Sequence, residues 1–126
     1  DAVAWAVATF GSDLTLLSSG QDAVLIDVAP RVDPGIEVAC MAVNDPFVMQ
    51  AWGESQHVPA GMRMLADGNA DFARALGLTL DGTGFGMGTR SQRFALVAEN
   101  GVVKHLAVEP GPGLDVSAAE KILAVL

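Results

Sequence analysis

The stretch Val43-Asn44-Asp45-Pro46-Phe47-Val48-Met49-Gln50-Ala51-Trp52-Gly53 leaves the backbone few choices. The apolar run from Ile36 to Val43 leads into it and reads as a buried strand. Asp45 then serves as an N-cap, with Pro46 at the first helical position, where a missing N–H donor costs nothing. The helix that follows runs to about Gln56 and places Phe47, Val48, Ala51 and Trp52 near one face. A strand that delivers the chain directly into a capped helix belongs to folds in which the two alternate.

The rest of the chain extends that pattern. Ala2 to Ala8 is a short apolar run consistent with a strand buried on both faces. Phe10 to Gly20 is rich in Ser, Thr, Gly and Asp and admits a short helix from Ser12 or Asp13, both good N-caps. Gln21 to Val28 fits helix or strand, and Pro30 and Pro34 then break regular structure. Met62 to Leu65 is a short strand, and Asn69 to Leu76 a helix stopped by Gly77. Phe94 to Ala98 and Val102 to Val108 flank Glu99-Asn100-Gly101, and Asn-Gly between apolar runs signals a hairpin. Ser117-Ala118-Ala119-Glu120 has the form of a capping box opening a last helix. A parallel half joined to an antiparallel hairpin implies an α/β fold with a mixed sheet flanked by helices. Residues 1–126 fit one domain without internal repeats.

Composition then removes several function classes. Apolar residues make up 51% of the chain, yet no run approaches the ~20 residues of a membrane span, so the excess belongs to a core or a subunit interface. A net charge of −8 repels phosphate backbones and anionic lipid, which argues against nucleic acid and membrane as partners. The single cysteine, Cys40, excludes an internal disulfide, a Cys-x-x-Cys pair and a cysteine zinc site. Such cysteine usage suits a reducing compartment. Ala2 to Ala8 follows no basic residue and opens behind Asp1, unlike a secretory signal, so a cytoplasmic location is expected.

No cofactor or metal is expected. Asp27, Asp33, Asp45 and Asp67 lack ligand spacing, and His57 and His105 have no Glu or His four residues on. Gly82, Gly84, Gly86 and Gly88 precede a strand and lack a following Lys-Ser/Thr, so they read as a surface loop rather than a phosphate cradle. Trp5 and Trp52 read as core or interface anchors.

The junction at Val43–Gly53, followed by Arg63-Met64-Leu65-Ala66-Asp67-Gly68-Asn69 and by Gly84-Phe85-Gly86-Met87-Gly88-Thr89-Arg90-Ser91-Gln92-Arg93-Phe94, resembles the type II (atypical, 5-type) peroxiredoxins of the redoxin family. The resemblance runs from about Val38 to Leu126 and implies a thioredoxin-like sheet, shortened here at its N-terminal side. It also implies thiol peroxidase chemistry, in which a cysteine thiolate attacks a peroxide oxygen. That thiolate needs a helix N-terminus and an arginine to stay ionised, with fixed donors for the leaving oxygen. The resemblance assigns the arginine to Arg93, immediately before the aromatic that opens a strand. Arg90 falls in the adjoining loop, and the Gly-Phe-Gly loop with Phe85 and Met87 falls near the family's site and dimer contact.

The nucleophile has no counterpart. The family places it in a Pro-x-x-x-Thr/Ser-x-x-Cys motif after the first strand, whereas no proline or cysteine occurs between Asp1 and Ala29. Counted from a first strand at Ala2 to Ala8, its place falls near Thr15, a hydroxyl of far too high a pKa to ionise unaided. The resolving cysteine of some members would fall near Val116. Cys40, in an apolar strand, reads as a small core hydrophobe and only as a secondary candidate nucleophile. The sequence therefore points to a peroxiredoxin-like binding or assembly module without the usual peroxidatic cysteine, partnered by a second copy (a homodimer) or by an intact peroxiredoxin. The alternative is a thiol peroxidase that uses Cys40 or a partner-chain cysteine.

Overall fold

In the computed structural model, residues 14–19 and 36–126 are described; the run 2–8 and the segment 21–28 lie outside them. The strands are β1 (Leu14–Ser19), β2 (Glu37–Ala42), β3 (Arg63–Ala66), β4 (Thr79–Gly82), β5 (Gly88–Ser91), β6 (Phe94–Glu99) and β7 (Val102–Val108). Among the described residues three helices join them: α1 (Pro46–Ser55), α2 (Asp71–Ala75) and α3 (Ala119–Leu123). Five strands form one sheet in the order β3-β2-β1-β6-β7, and β4 pairs with β5 in a separate two-stranded ribbon. β1, β2 and β3 run parallel, while β6 and β7 run antiparallel to their neighbours. This is the mixed sheet expected of a parallel half joined to a hairpin.

Period-two alternation puts successive side chains of β2 and β6 on opposite faces, and both faces are covered. On one, Val38, Cys40, Ala95, Val97 and Ala107 meet Ile122 of α3, with Trp52 of α1 packed against them. On the other, Ala39, Met41, Phe94, Leu96 and Ala98 meet Leu78, with Phe72 and Leu76 alongside. Burial on both sides explains why β2 and β6 read as continuous apolar runs.

Local chemistry sets several boundaries. The Asp45 carboxylate accepts the Val48 N–H at 2.8 Å, and Pro46 opens α1 as anticipated. Asn100 and Gly101 both take positive φ, 52° and 74°, as a type I′ hairpin turn between β6 and β7 requires. Asp67 caps α2 from a distance, accepting the N–H groups of Phe72 at 3.1 Å and Ala73 at 2.9 Å.

Three expectations are corrected. β1 occupies Leu14–Ser19, where the sequence admits a short helix from Ser12 or Asp13; pairing with strands on both sides outweighs the local capping preference. The buried side of α1 is Met49 and Gly53, with Trp52 half-buried, while Phe47 is 82% exposed and Val48 and Ala51 face out. A Cβ on Gly53 would sit 3.3 Å from Met64 Cγ, so the glycine sets how closely α1 approaches β3 and which face turns inward. Ser117 does not cap α3, whose N-cap is Ala118, because its hydroxyl donates to Glu109 at 2.7 Å.

Candidate functional site

The parallel strands β1, β2 and β3 end on one side of the sheet, at Ser19, Ala42 and Ala66. In open α/β sheets the crevice outside such carboxyl ends is the usual ligand site. Arg93 stands there. It directly precedes Phe94, and Phe94 is in register with Ser19, the last residue of β1. The Arg93 carbonyl accepts the Glu109 N–H at 2.9 Å, extending the β6–β7 ladder by one step. Its guanidinium donates to the Gly113 carbonyl at 3.4 Å, so the loop after β7 braces it.

That loop is stapled by a buried carboxylate. Glu109 Oε1 accepts the Ser117 hydroxyl at 2.7 Å and the N–H groups of Ser117 and Asp115, each at 2.8 Å. The Ser117 hydroxyl, followed by the Ser117 N–H, holds the Glu109 carboxyl well below the usual carboxylate range, at about 2. Neither residue announces this role in the sequence, because Pro110 to Leu114 read as an ordinary loop between them.

Thr15 lies elsewhere. It sits inside β1, in register with Glu37 and Ala98, rather than at a strand-to-helix turn. Four strand steps separate it from Ser19, about 13 Å along the strand at 3.3 Å per residue. Among the described residues of β1, Ser19 at its end is the one in register beside Arg93, through Phe94. The count that pointed to Thr15 assumed a first strand at Ala2 to Ala8, whereas the strand that enters the sheet beside β2 is Leu14–Ser19. The segment 20–35 that follows contains no cysteine.

Cys40 is in the middle of β2, in register with Ser18 on one side and Met64 on the other. It is 2% exposed among Val38, Ala95, Val97 and Ile122. Burial pushes its thiol up to about 12, which leaves roughly one thiolate in 10⁵ at pH 7. With β1 interposed, and Cys40 in line with Ala95, Arg93 is about 12 Å away across and along the sheet. The structure therefore does not bring Thr15, Cys40 and Arg93 together. Among the described residues no cluster of His, Cys, Asp or Glu could hold a metal ion, and no helix is long and apolar enough to cross a membrane.

Near the same strand ends lies the glycine-rich stretch, which is a ribbon rather than a plain loop. β4 and β5 are joined through a 3₁₀ turn at Thr83–Phe85, and Gly86 takes φ 73° beyond it. Phe85 is 83% exposed at its tip, with Met87 and Leu80 about half exposed.

A mixed sheet with helices on both faces, and an arginine at the carboxyl ends of its parallel strands, defines a thioredoxin-like protein. Residues 30–123 match the family model described as Redoxin, and the chain belongs to the redoxin family, among its peroxiredoxins. It is 46% identical over 92 residues to peroxiredoxin-2E-2, chloroplastic, of Oryza sativa subsp. japonica, covering 71% of this chain and 41% of that one. Against peroxiredoxin-2D of Arabidopsis thaliana it is 44% identical over 90 residues, covering 71% and 56%. The chain thus spans about half the length of these curated relatives. Among solved structures, reduced Prx3 from Vibrio vulnificus in complex with hydrogen peroxide superposes with a TM-score of 0.84 at 39% identity, covering 94% of this chain and 82% of that one. Peroxiredoxin 5 from Alvinella pompejana gives 0.76 at 29% identity, covering 90% and 78%.

Proposed function

We propose that this chain is a peroxiredoxin-family module that does not reduce peroxides with its own cysteine and works by assembly, pairing with a second copy of itself or with an intact peroxiredoxin. The observation that carries this reading is the position of Cys40. A thiol in mid-strand, 2% exposed and raised to about 12, has neither the ionisation nor the access that peroxide attack requires. Arg93 is the family-equivalent cation, left without a cysteine from its own chain to activate.

Assembly is supported by the apolar side chains that remain outside the core. Phe47, Val48, Leu80, Phe85 and Met87 are all 46% exposed or more, and they come from two neighbouring segments. Aromatic residues and methionine without charge are the composition of an interface centre. The reading also draws on the type II peroxiredoxins that the chain resembles, whose matching Gly-Phe-Gly loop lies near their dimer contact. Sedimentation of the purified chain tests this half of the reading. A dimer that Phe85→Ser dissociates is expected; a monomer at all concentrations, alone and mixed with an intact peroxiredoxin, would contradict it.

The second reading, a thiol peroxidase, draws on Arg93 at the strand ends and on the relative that holds hydrogen peroxide. It requires Cys40 to emerge from the core or a partner chain to supply the thiolate. Peroxide consumption in the presence of excess dithiothreitol separates the two: turnover above that of the Cys40→Ser variant would mark a site at Cys40, and turnover by the mixture above that of an intact peroxiredoxin alone would mark a partner-supplied thiolate.

A further inference from the structure

Among the described residues the buried polar side chains are Glu109 and Ser117, 5% and 2% exposed, and they bond to each other. Burying a carboxylate is costly unless donors surround it, and here the donors come from one short segment. The Ser117 hydroxyl and the N–H groups of Ser117 and Asp115 converge on Oε1. Between Glu109 and that segment the loop is open. Residues 110–115 are exposed, and Gly111 and Gly113 have nothing within 4 Å of where a Cβ would stand. The Lys121–Asp115 ion pair lies at the surface, where such pairs contribute little.

Glu109 is also tied to Arg93. Phe94 is in register with Val108, and one step on the Arg93 carbonyl accepts the Glu109 N–H at 2.9 Å. The Arg93 guanidinium reaches the loop itself, donating to the Gly113 carbonyl at 3.4 Å, two residues before the stapled Asp115. These links close a ring: arginine backbone to glutamate backbone, glutamate carboxylate to loop, loop carbonyl back to the arginine side chain. At 3.4 Å the last bond is long for N–H···O, so it steers the guanidinium only while the carbonyl is kept from drifting. The carboxylate staple keeps it there.

We propose that Glu109 is the positioning residue of Arg93: its carboxylate fixes residues 115–117, the Gly113 carbonyl stays in place, and the guanidinium is held in one direction at the carboxyl end of β1. Ser117 acts with it, through the shortest bond to that carboxylate, 2.7 Å. The ring lies within one chain and concerns how Arg93 is held, so it goes beyond the assembly reading and does not depend on it.

Side-chain NMR of the arginine Nε–H groups in the purified chain tests this, with the Arg93 signal assigned by its loss in Arg93→Lys. Its order parameter, and amide exchange across 113–117, are compared in wild type, Glu109→Gln and the milder Ser117→Ala. Glutamine keeps the shape and one acceptor but loses the charge that strengthens the bonds. Exchange in 113–117 is expected to speed by about tenfold to a hundredfold in Glu109→Gln, and less in Ser117→Ala. The Arg93 order parameter is expected to fall in the same order. Arg90, whose Nε donates to the Met87 carbonyl at 2.8 Å, should keep its own, with β6 amides unchanged as a control on the fold. A loop that loosens while Arg93 stays as ordered as in the wild type would overturn the proposal and leave Glu109 a staple of the loop alone. Unchanged exchange across 113–117 would overturn it as well. Ser117→Ala carries the same two readouts should Glu109→Gln fail to fold.

Discussion

Two side chains of opposite character set the chemistry at the residue scale. Cys40 is a small thiol packed within the core, and Arg93 is a cation braced at the sheet's carboxyl end. Cys40→Ala is expected to be tolerated better than Cys40→Ser. The serine hydroxyl would sit in the apolar cluster with Val38 and Ile122, which costs about 1–3 kcal/mol if it finds no acceptor. Urea midpoints of the two variants check the order; a serine variant as stable as the alanine one would mean the site is wetter than it is drawn. Cys40 was legible from the sequence, because an apolar run around a lone cysteine already implies a buried strand. Thr15 was not, because a sequence count depends on which run is the first strand. The Ser-rich segment Leu14–Ser19 carries no strong strand signal of its own and is held by pairing on both edges.

Elements whose signals are local were read well, and elements fixed from a distance were not. The Asp45-Pro46 start of α1 and the Asn100-Gly101 turn depend on adjacent residues, and both stand as expected. Asp45→Ala should cost about 0.5–2 kcal/mol through loss of the cap, seen as a lower unfolding midpoint. The inward face of α1 depends on Gly53 meeting Met64 of β3, which periodicity within the helix cannot reveal. The β4–β5 ribbon lacks the β-branched runs that mark strands; of its glycines, Gly82 serves close approach, while Gly86 and Gly88 take positive φ. Ser117 looked like a cap because its partner, Glu109, lies eight residues back. That pair carries a pH dependence. The Glu109 carboxyl is held at about 2 in the folded chain against an ordinary value of 4.5, so its contribution to stability is complete above pH 4.5 and is lost as pH falls toward 2. Glu109→Gln is expected to flatten the fall in melting temperature across that window, and an unchanged acid slope would show the staple to be dispensable.

For the whole molecule, two features act against each other. The chain carries −8, so two copies repel, yet it leaves aromatic and methionine side chains exposed on two neighbouring segments. Self-association is therefore expected to tighten as salt rises from about 0.01 to 0.15 M, where the screening length falls from roughly 30 to 8 Å. Sedimentation at the two ionic strengths reads this directly, and a dimer that weakens with salt would point to ion pairs instead of the apolar face. The proposal that Cys40 of this redoxin-family chain is not a peroxidatic thiol can be tested directly. The direct measurement adds one equivalent of hydrogen peroxide to the purified chain and follows sulfenic acid at Cys40 with a trapping reagent and mass spectrometry. Oxidation no faster than that of an ordinary buried thiol, and indifferent to Arg93→Ala, is the predicted result. Rapid sulfenic acid at Cys40, slowed by Arg93→Ala and absent in Cys40→Ser, would contradict it and establish a relocated peroxidase site.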